Sequence, residues 1–525
     1  NLVPGGGIWL NTQRPEWNDA NNALVGYGAS MVTVYYMKRF LSFLNSILKE
    51  TNLETIAVSI EVITWVHSVK NIFSEWQNKN NAHIISDQER MEYISQLGTA
   101  FSEYRAKVYE KGFSGKKELA IEFICGFINT TINEMNNTIQ LGEDSNGFYH
   151  AYNTINLDLK SRSVNVKHLD PMLEGQVAAL SSGSLNIDDA IKLLESLFNS
   201  DLYRDDVHSF ILYPKKEITP FLYRNIIPSA TIFNSKLLSK MLQNNDHTLI
   251  EKDAGGQVRF RPQFRNSFDL EAKLNKLKNE TNYSGLVIQE HDMVMEVFEK
   301  VFDHRNYTGR SGKMFSYEGI GSVYWHMVSK LLLAVQENYF QAVSMNEPVE
   351  KVKKLGHLYY DIRGGLGAAK SPQEYGAFPF DPYSHTPAHS GAQQPGMTGQ
   401  VKEEILTRFG ELGCFVVQGS VKFEPGLLKQ NEFLTRKRVF EYYDVFQQKQ
   451  LLTIQKGQLA YTFCQVPVIY TLSDTKCKII LDNNDSSRIE LEGNRLDEIQ
   501  SSHIFDRDNR IKQVNLFIHS KSLFD

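Results

Sequence analysis

Between Arg14 and Gly26 the chain sets two carboxylates, one indole and three carboxamides close together: Glu16, Trp17, Asn18, Asp19, Asn21 and Asn22. These are the groups a sugar site uses. An indole such as Trp17 can stack on the apolar face of a pyranose. Amides such as Asn18 bind its hydroxyls, and a carboxylic acid at Asp19 can protonate a glycosidic oxygen. The same residues also suit a helix N-cap, with Asp19 or Asn21 accepting backbone N–H bonds. A second group runs from Arg310 to His326. Here Glu318 follows Tyr317 and precedes Gly319 at a helix start, where glycine permits close approach of a ligand. A first-turn glutamate favoured by the helix dipole is the other reading. A third group, Gln393 to Lys402, places Thr398 and Gly399 ahead of a helix. A hydroxyl and free backbone N–H groups at a helix N-terminus bind anions, and a plain threonine cap is again the alternative. The stretch before it adds Tyr383, His389 and Gln394, while Arg363, in YYDIRGG, suits a sugar hydroxyl or an anion. His357, His385 and His389 lack the spacing of a compact ligand set, so no metal centre is expected.

The elements that must position these groups are mainly helical up to residue 412. Apolar residues recur at helical spacing over 22–50, 54–78, 87–112, 116–141, 171–182, 187–199, 229–243, 268–278, 288–303, 318–343 and 397–411. Long helices in succession suggest an α/α array or toroid. Residues 201–227 and 253–267 read as loops, and 357–396 as a long ordered loop rich in Gly, Pro, His and Tyr. After Gly413 the pattern changes to short strand-like runs separated by turn residues. Asp482-Asn483-Asn484-Asp485 reads as a hairpin turn, because the glycine of a calcium loop is missing. The expectation is a mainly α chain, with an α/α catalytic domain over 1–412 and a C-terminal β-sandwich over 413–525.

Bulk properties exclude several classes. The net charge of −5 leaves no basic excess to track a nucleic-acid backbone. No apolar run has the length of a membrane span. Cys125, Cys414, Cys464 and Cys477 are far apart, which points to free or buried thiols. There is no Walker A loop, dinucleotide fingerprint or nucleophile elbow. The start, NLVPGGGIWL, does not read as a signal peptide. A soluble protein of the cytoplasm or periplasm is expected, with the compartment unknown.

The run EWNDANNALVGYGASMVTVYYMKRFL resembles the DWNDGMN…VG segment of the cellobiose and chitobiose phosphorylase family, together with its following barrel helix. The resemblance implies Asp19 as general acid and Trp17 as a sugar-site residue. Glu16 and Ala20 depart from the family's Asp and Gly. The 310–326 segment is similar to the family's GG.YTHA..W region, but Tyr317-Glu318-Gly319 stands where a phosphate-holding histidine is expected. Related toroidal hydrolases use a glutamate as base, which makes Glu318 the candidate base. The 393–402 segment resembles the family's TG.A.W helix, implying that Thr398 and Gly399 face the active site. What the resemblance implies overall is part of an (α/α)6 toroid, N-terminally incomplete, needing a missing segment or partner chain. A homodimer is a further expectation. The leading functional expectation is a glycoside hydrolase or transglycosylase on β-linked gluco-oligosaccharides. In it Asp19 is the acid, Glu318 the base, and Trp17, Tyr317 and Trp325 shape the subsites with the 375–394 stretch. The first alternative is an inverting glycoside phosphorylase that uses inorganic phosphate, held by Thr398, Gly399 and Arg363 or His389. The second is a non-catalytic carbohydrate-binding protein. None of these readings needs an organic cofactor.

Overall fold

In the computed structural model, described residues are 1–12, 24–79, 85–214, 223, 225–279, 282–302, 323–366, 385–386, 401–474 and 477–525. They contain fourteen α-helices and twenty-two short strands. The chain divides into two compact units, one of residues 1–176 and 211–322, the other of 177–210 and 323–525.

The first unit opens on strands β1 (Leu2–Val3), β2 (Gly7–Trp9) and β3 (Gly28–Ser30). Ser30 ends β3 and caps helix α1 (Met31–Glu50), its Oγ accepting from the Thr33 N–H at 3.0 Å. That bond satisfies one of the donors a helix start leaves over. Strand β4 (Thr55–Ser59), helices α2 (Ile60–Lys79) and α3 (Asp87–Lys111), strand β5 (Lys116–Ala120) and helix α4 (Ile121–Gln140) follow. A capping box between Ser86 and Glu89 starts α3. Strands β6 (Tyr152–Asp158) and β7 (Ser163–His168) then complete a five-stranded sheet in the order β1-β2-β3-β6-β7. On α1, Tyr36, Phe40, Phe43 and Ile47 recur on one face and are 41 to 63% exposed.

Helix α5 (Leu173–Ser181) carries the chain across the division between units. In the second unit, Asn186 caps α6 (Ile187–Phe198), whose Ile187, Ala190, Leu193, Leu194 and Leu197 are buried at i, i+3, i+6, i+7 and i+10. Strands β8 (Tyr203–Arg204) and β9 (Ser209–Phe210) close this first passage. The chain then re-enters the first unit with α7 (Ser229–Asn234), α8 (Lys236–Gln243), hairpin β10 (Ile250–Lys252) and β11 (Val258–Phe260), α9 (Ser267–Asn279) and α10 (Ser284–Phe302). One apolar cluster, drawn wholly from residues 227–298, joins these pieces; Leu237, Leu238, Met241, Leu270, Leu274, Val294 and Phe298 are fully buried in it.

The second unit resumes with β12 (Val323–Tyr324), α11 (Trp325–Ser344) and α12 (Val349–Gly364). Strand β13 (His385–Thr386) pairs antiparallel with β12. Helix α13 (Val401–Leu412) leads into hairpin β14 (Cys414–Val417) and β15 (Ser420–Phe423), and then hairpin β16 (Arg438–Tyr443) and β17 (Lys449–Ile454). Strands β18 (Gln458–Phe463), β19 (Val466–Ser473), β20 (Lys478–Asn483), β21 (Arg488–Glu492) and β22 (Ile511–His519) form a mixed sheet ordered β18-β19-β22-β20-β21. Helix α14 (Glu498–Phe505) crosses between β21 and β22. Val421, Phe423, Tyr470, Ile479, Leu481 and Leu516 are among the residues of this part's core. No helix among the described residues is long and apolar enough to cross a membrane.

Three expectations change here. The chain is about half helical and carries several sheets, so "mainly α" understates its strands. Residues 55–59 and 116–120, expected to begin helices, instead pair as strands in register from Thr55↔Ala120 to Ser59↔Lys116. Each runs straight into a helix with no glycine or proline between, so neither period ends visibly. Residues 357–364, expected in a loop, form the second half of α12. Gly356 and the Gly364–Gly365 pair look like loop residues, but Gly356 is needed for contact: a Cβ there would lie 2.2 Å from the Phe524 ring.

Candidate functional site

Helices α11 and α13 run side by side in the same direction. The Gln336 amide donates to the Thr407 carbonyl at 2.7 Å, and its side chain fills the notch left by Gly410, where a Cβ would fall 2.0 Å from Oε1. One turn further along α11, the Phe340 ring meets that of Phe415, in β14 just past α13, edge to face at 4.8 Å. Contacts thus advance in chain order along both segments, and the N-terminal ends of the two helices lie at one end of the pair. Helix α12 packs antiparallel to them, with Tyr359 beside Gln336 and Glu411. Its last turn, which carries Arg363, therefore lies toward that same end.

On α13 the residues facing inward are polar. Glu403, Thr407 and Glu411 stand at i, i+4 and i+8 and are 5%, 0% and 1% exposed. Glu411 is fully paired. Its Oε1 accepts from the Tyr359 hydroxyl at 2.6 Å and meets Arg363 Nε at 2.9 Å; its Oε2 meets an Arg408 nitrogen at 2.7 Å. Arg408 reaches on to Glu432 at 2.6 Å. Burial works against the Arg408 charge, but the bonds to Glu432 and Glu411 outweigh it and hold the guanidinium protonated. Burial, and then the Glu411 charge, push the Tyr359 hydroxyl far above its ordinary range. It is a donor at any physiological pH. The neighbouring Tyr360 hydroxyl donates to the Leu427 carbonyl and the Lys429 ammonium lies 3.7 Å over its ring, tying α12 to the turn after β15.

Of the candidate catalytic and substrate-binding residues, two are described. Trp325 is the first residue of α11 and is 2% exposed. Arg363 is one-third exposed in the last turn of α12, its Nε held by Glu411. Asp19, Glu318, Trp17, Asn18, Tyr317, Tyr383, His389, Gln394, Thr398 and Gly399 lie outside the described residues. The segment holding Glu318 leads into β12 and α11, and the segment holding Thr398 and Gly399 leads into α13. Sequence reasoning missed Tyr359, Glu403, Arg408 and Glu411. The signal was present as Glu-Thr-Glu at a spacing of four in a helix that must be buried, matched by Tyr359 and Arg363 four apart on α12. All four cysteines are free, and no group of acidic, His or Cys residues that could hold a metal occurs among the described residues.

Residues 218–305 match the family model described as GH149 phosphorylase insertion domain 2. The match coincides with the self-contained core of 227–298 and falls inside the 211–322 segment that interrupts the second unit. No curated protein matches the chain.

Proposed function

We propose that this chain is a glycoside phosphorylase that cleaves β-linked gluco-oligosaccharides with inorganic phosphate. The observation that carries this reading is the match of 218–305 to an insertion domain of a phosphorylase family. It favours the phosphorylase over the hydrolase that Glu318 suggested, since phosphate then does the work of an activated water. In the proposed reaction Asp19 gives its proton to the glycosidic oxygen as the bond from the anomeric carbon to that oxygen breaks. A phosphate oxygen attacks the anomeric carbon from the opposite face, with inversion. The products are a sugar 1-phosphate and an oligosaccharide one residue shorter. Trp17, Asn18 and Tyr317 would bind sugar; Thr398, Gly399 and Arg363 would hold phosphate. The expected architecture is part of an (α/α)6 toroid, an incomplete ring over 1–412, followed by a β-sandwich over 413–525. The exposed apolar stripe on α1 is the face that a further segment or partner would cover.

The test is turnover of a panel of β-linked gluco-oligosaccharides, with and without phosphate, by the parent and Asp19→Asn. Phosphate-dependent release of a sugar 1-phosphate, reduced at least 100-fold by Asp19→Asn, is the expected result. Phosphate-independent release of reducing sugar would restore the hydrolase and direct attention to Glu318. Sugar binding that survives Asp19→Asn, with no turnover by the parent, would leave a binding protein.

A further inference from the structure

Glu403 and Glu411 occupy the same face of α13 at nearly the same burial, yet only one is satisfied. Glu411 receives the Tyr359 hydroxyl and two guanidinium groups. Glu403 is 5% exposed, and its Oε2 has no hydrogen-bond partner. The cation nearest its Oε1, Lys402, stands 3.8 Å away on a side chain that is 74% exposed. A carboxylate oxygen withdrawn from water with no donor is costly, and such groups persist where something outside the chain supplies the donor. The location narrows what that is. Glu403 lies in the first turn of α13, and Glu404 beside it feels the charge of Arg363 in the last turn of α12. Glu404 is half-buried and its carboxyl is raised by burial, against the pull of Arg363. A carboxylate oxygen accepts hydrogen bonds and repels an anion, so the partner that Glu403 Oε2 lacks is a neutral hydroxyl donor rather than phosphate.

We propose that Glu403 is a substrate-binding carboxylate that accepts a hydroxyl hydrogen of the oligosaccharide, and that it sets affinity for sugar without touching phosphate. The inference deepens the phosphorylase reading and rests on it for the identity of the sugar. Phosphorolysis is measured with oligosaccharide and phosphate varied separately, in the parent, Glu403→Gln and the volume-matched Glu403→Met. Thermal melts of each are recorded with and without oligosaccharide. Both variants should raise KM for oligosaccharide about tenfold or more and leave KM for phosphate within twofold. Neither should melt below the parent, since Glu403 Oε2 makes no hydrogen bond that either variant would lose, and both should lose the rise in melting temperature that oligosaccharide gives the parent. Unchanged sugar KM, or a rise confined to phosphate, overturns the proposal. So does a lower melting temperature in both variants with sugar KM intact, which would mark a structural group. If the parent turns nothing over, the phosphorylase reading fails and the melts decide alone. An oligosaccharide-induced rise in the parent that both variants lose sustains Glu403 as a sugar ligand; no rise in the parent refutes it.

Discussion

Glu411→Gln should loosen the second unit by about 3 kcal/mol, and the structure says why. Glu411 is 1% exposed and neutralises two guanidinium groups while accepting the Tyr359 hydroxyl. A hydrogen bond to a charged group contributes roughly 1.5–3 kcal/mol, so three of them set a ceiling near 4.5–9 kcal/mol. Two facts lower it. Arg363 and Arg408 are 32% and 37% exposed and can recover water, and Arg408 keeps Glu432. A glutamine of equal shape also retains one acceptor. What remains is near the lower end of the cost of breaking a buried pair, about 3 kcal/mol. With two units in one chain, a single unfolding free energy is poorly defined. The assay is therefore native-state hydrogen exchange on peptides covering 355–364 and 401–412. Exchange there should quicken on the order of 100-fold, while peptides of the first unit stay unchanged. For a unit of about 240 residues the same loss lowers Tm by roughly 6–12 °C. Exchange within threefold of the parent would refute the claim that Glu411 is the charge centre joining α12 and α13.

The remaining predictions concern other parts of the fold. His150 and His168 stack at 4.4 Å. Burial depresses both imidazoles, and for His168 the charges of His150 and Arg90 add to it. The unfolded chain therefore takes up protons first, so stability is full above the ordinary histidine value and falls as pH drops below it. Protection factors over β6 and β7, with the intrinsic pH dependence of amide exchange divided out, should fall between pH 7.5 and 5.5 in the parent, and less so in His168→Asn. Gly410→Ala drives a methyl group into Gln336, and denaturant melts of the second unit should show a loss of about 1–3 kcal/mol. Phe524→Ala removes the ring that covers Gly356 and stacks on Tyr360 at 5.3 Å. Exchange at α12 should rise, and an unchanged rate would mean that the C-terminal residues do not brace that helix.

Long amphipathic elements were legible in the sequence. The runs at 87–111, 121–140, 187–198 and 325–344 are helices close to where apolar spacing puts them, because period 3.6 is unambiguous over several turns. The turn at Asp482–Asp485 joins β20 to β21, the hairpin turn read from the sequence. Short strands were not legible. Gly28–Ser30 and Leu2–Val3 contain too few residues to show any alternation; Leu2–Val3 is a strand by pairing with Gly7–Ile8, and Gly28–Ser30 by pairing with residues 152–154, far along the chain. Helix α12 was hidden because its glycines serve packing rather than turning. The polar cluster around Glu411 was missed although its spacing of four was there to see: Tyr359, Arg363, Arg408 and Glu411 look like surface residues until two helices bury them against each other.

The second unit is built from two stretches of chain, 177–210 and 323–525, with residues 211–322 between them. Consider what this means for a chain still emerging from the ribosome. Helix α6 is made early, with five apolar residues along one side. The chain that meets it, including Lys351 and Lys354, which reach its Asp188 and Glu195, comes later. At about 5–20 residues per second, the intervening 110 or so residues take roughly 5–20 s to appear. Throughout that time the greasy side of α6 is bare. The interrupting stretch, with its own core at 227–298, can settle meanwhile. The second unit can be completed only after this stretch has been made, so the order of synthesis lets the inserted stretch fold before the structure whose sequence it interrupts.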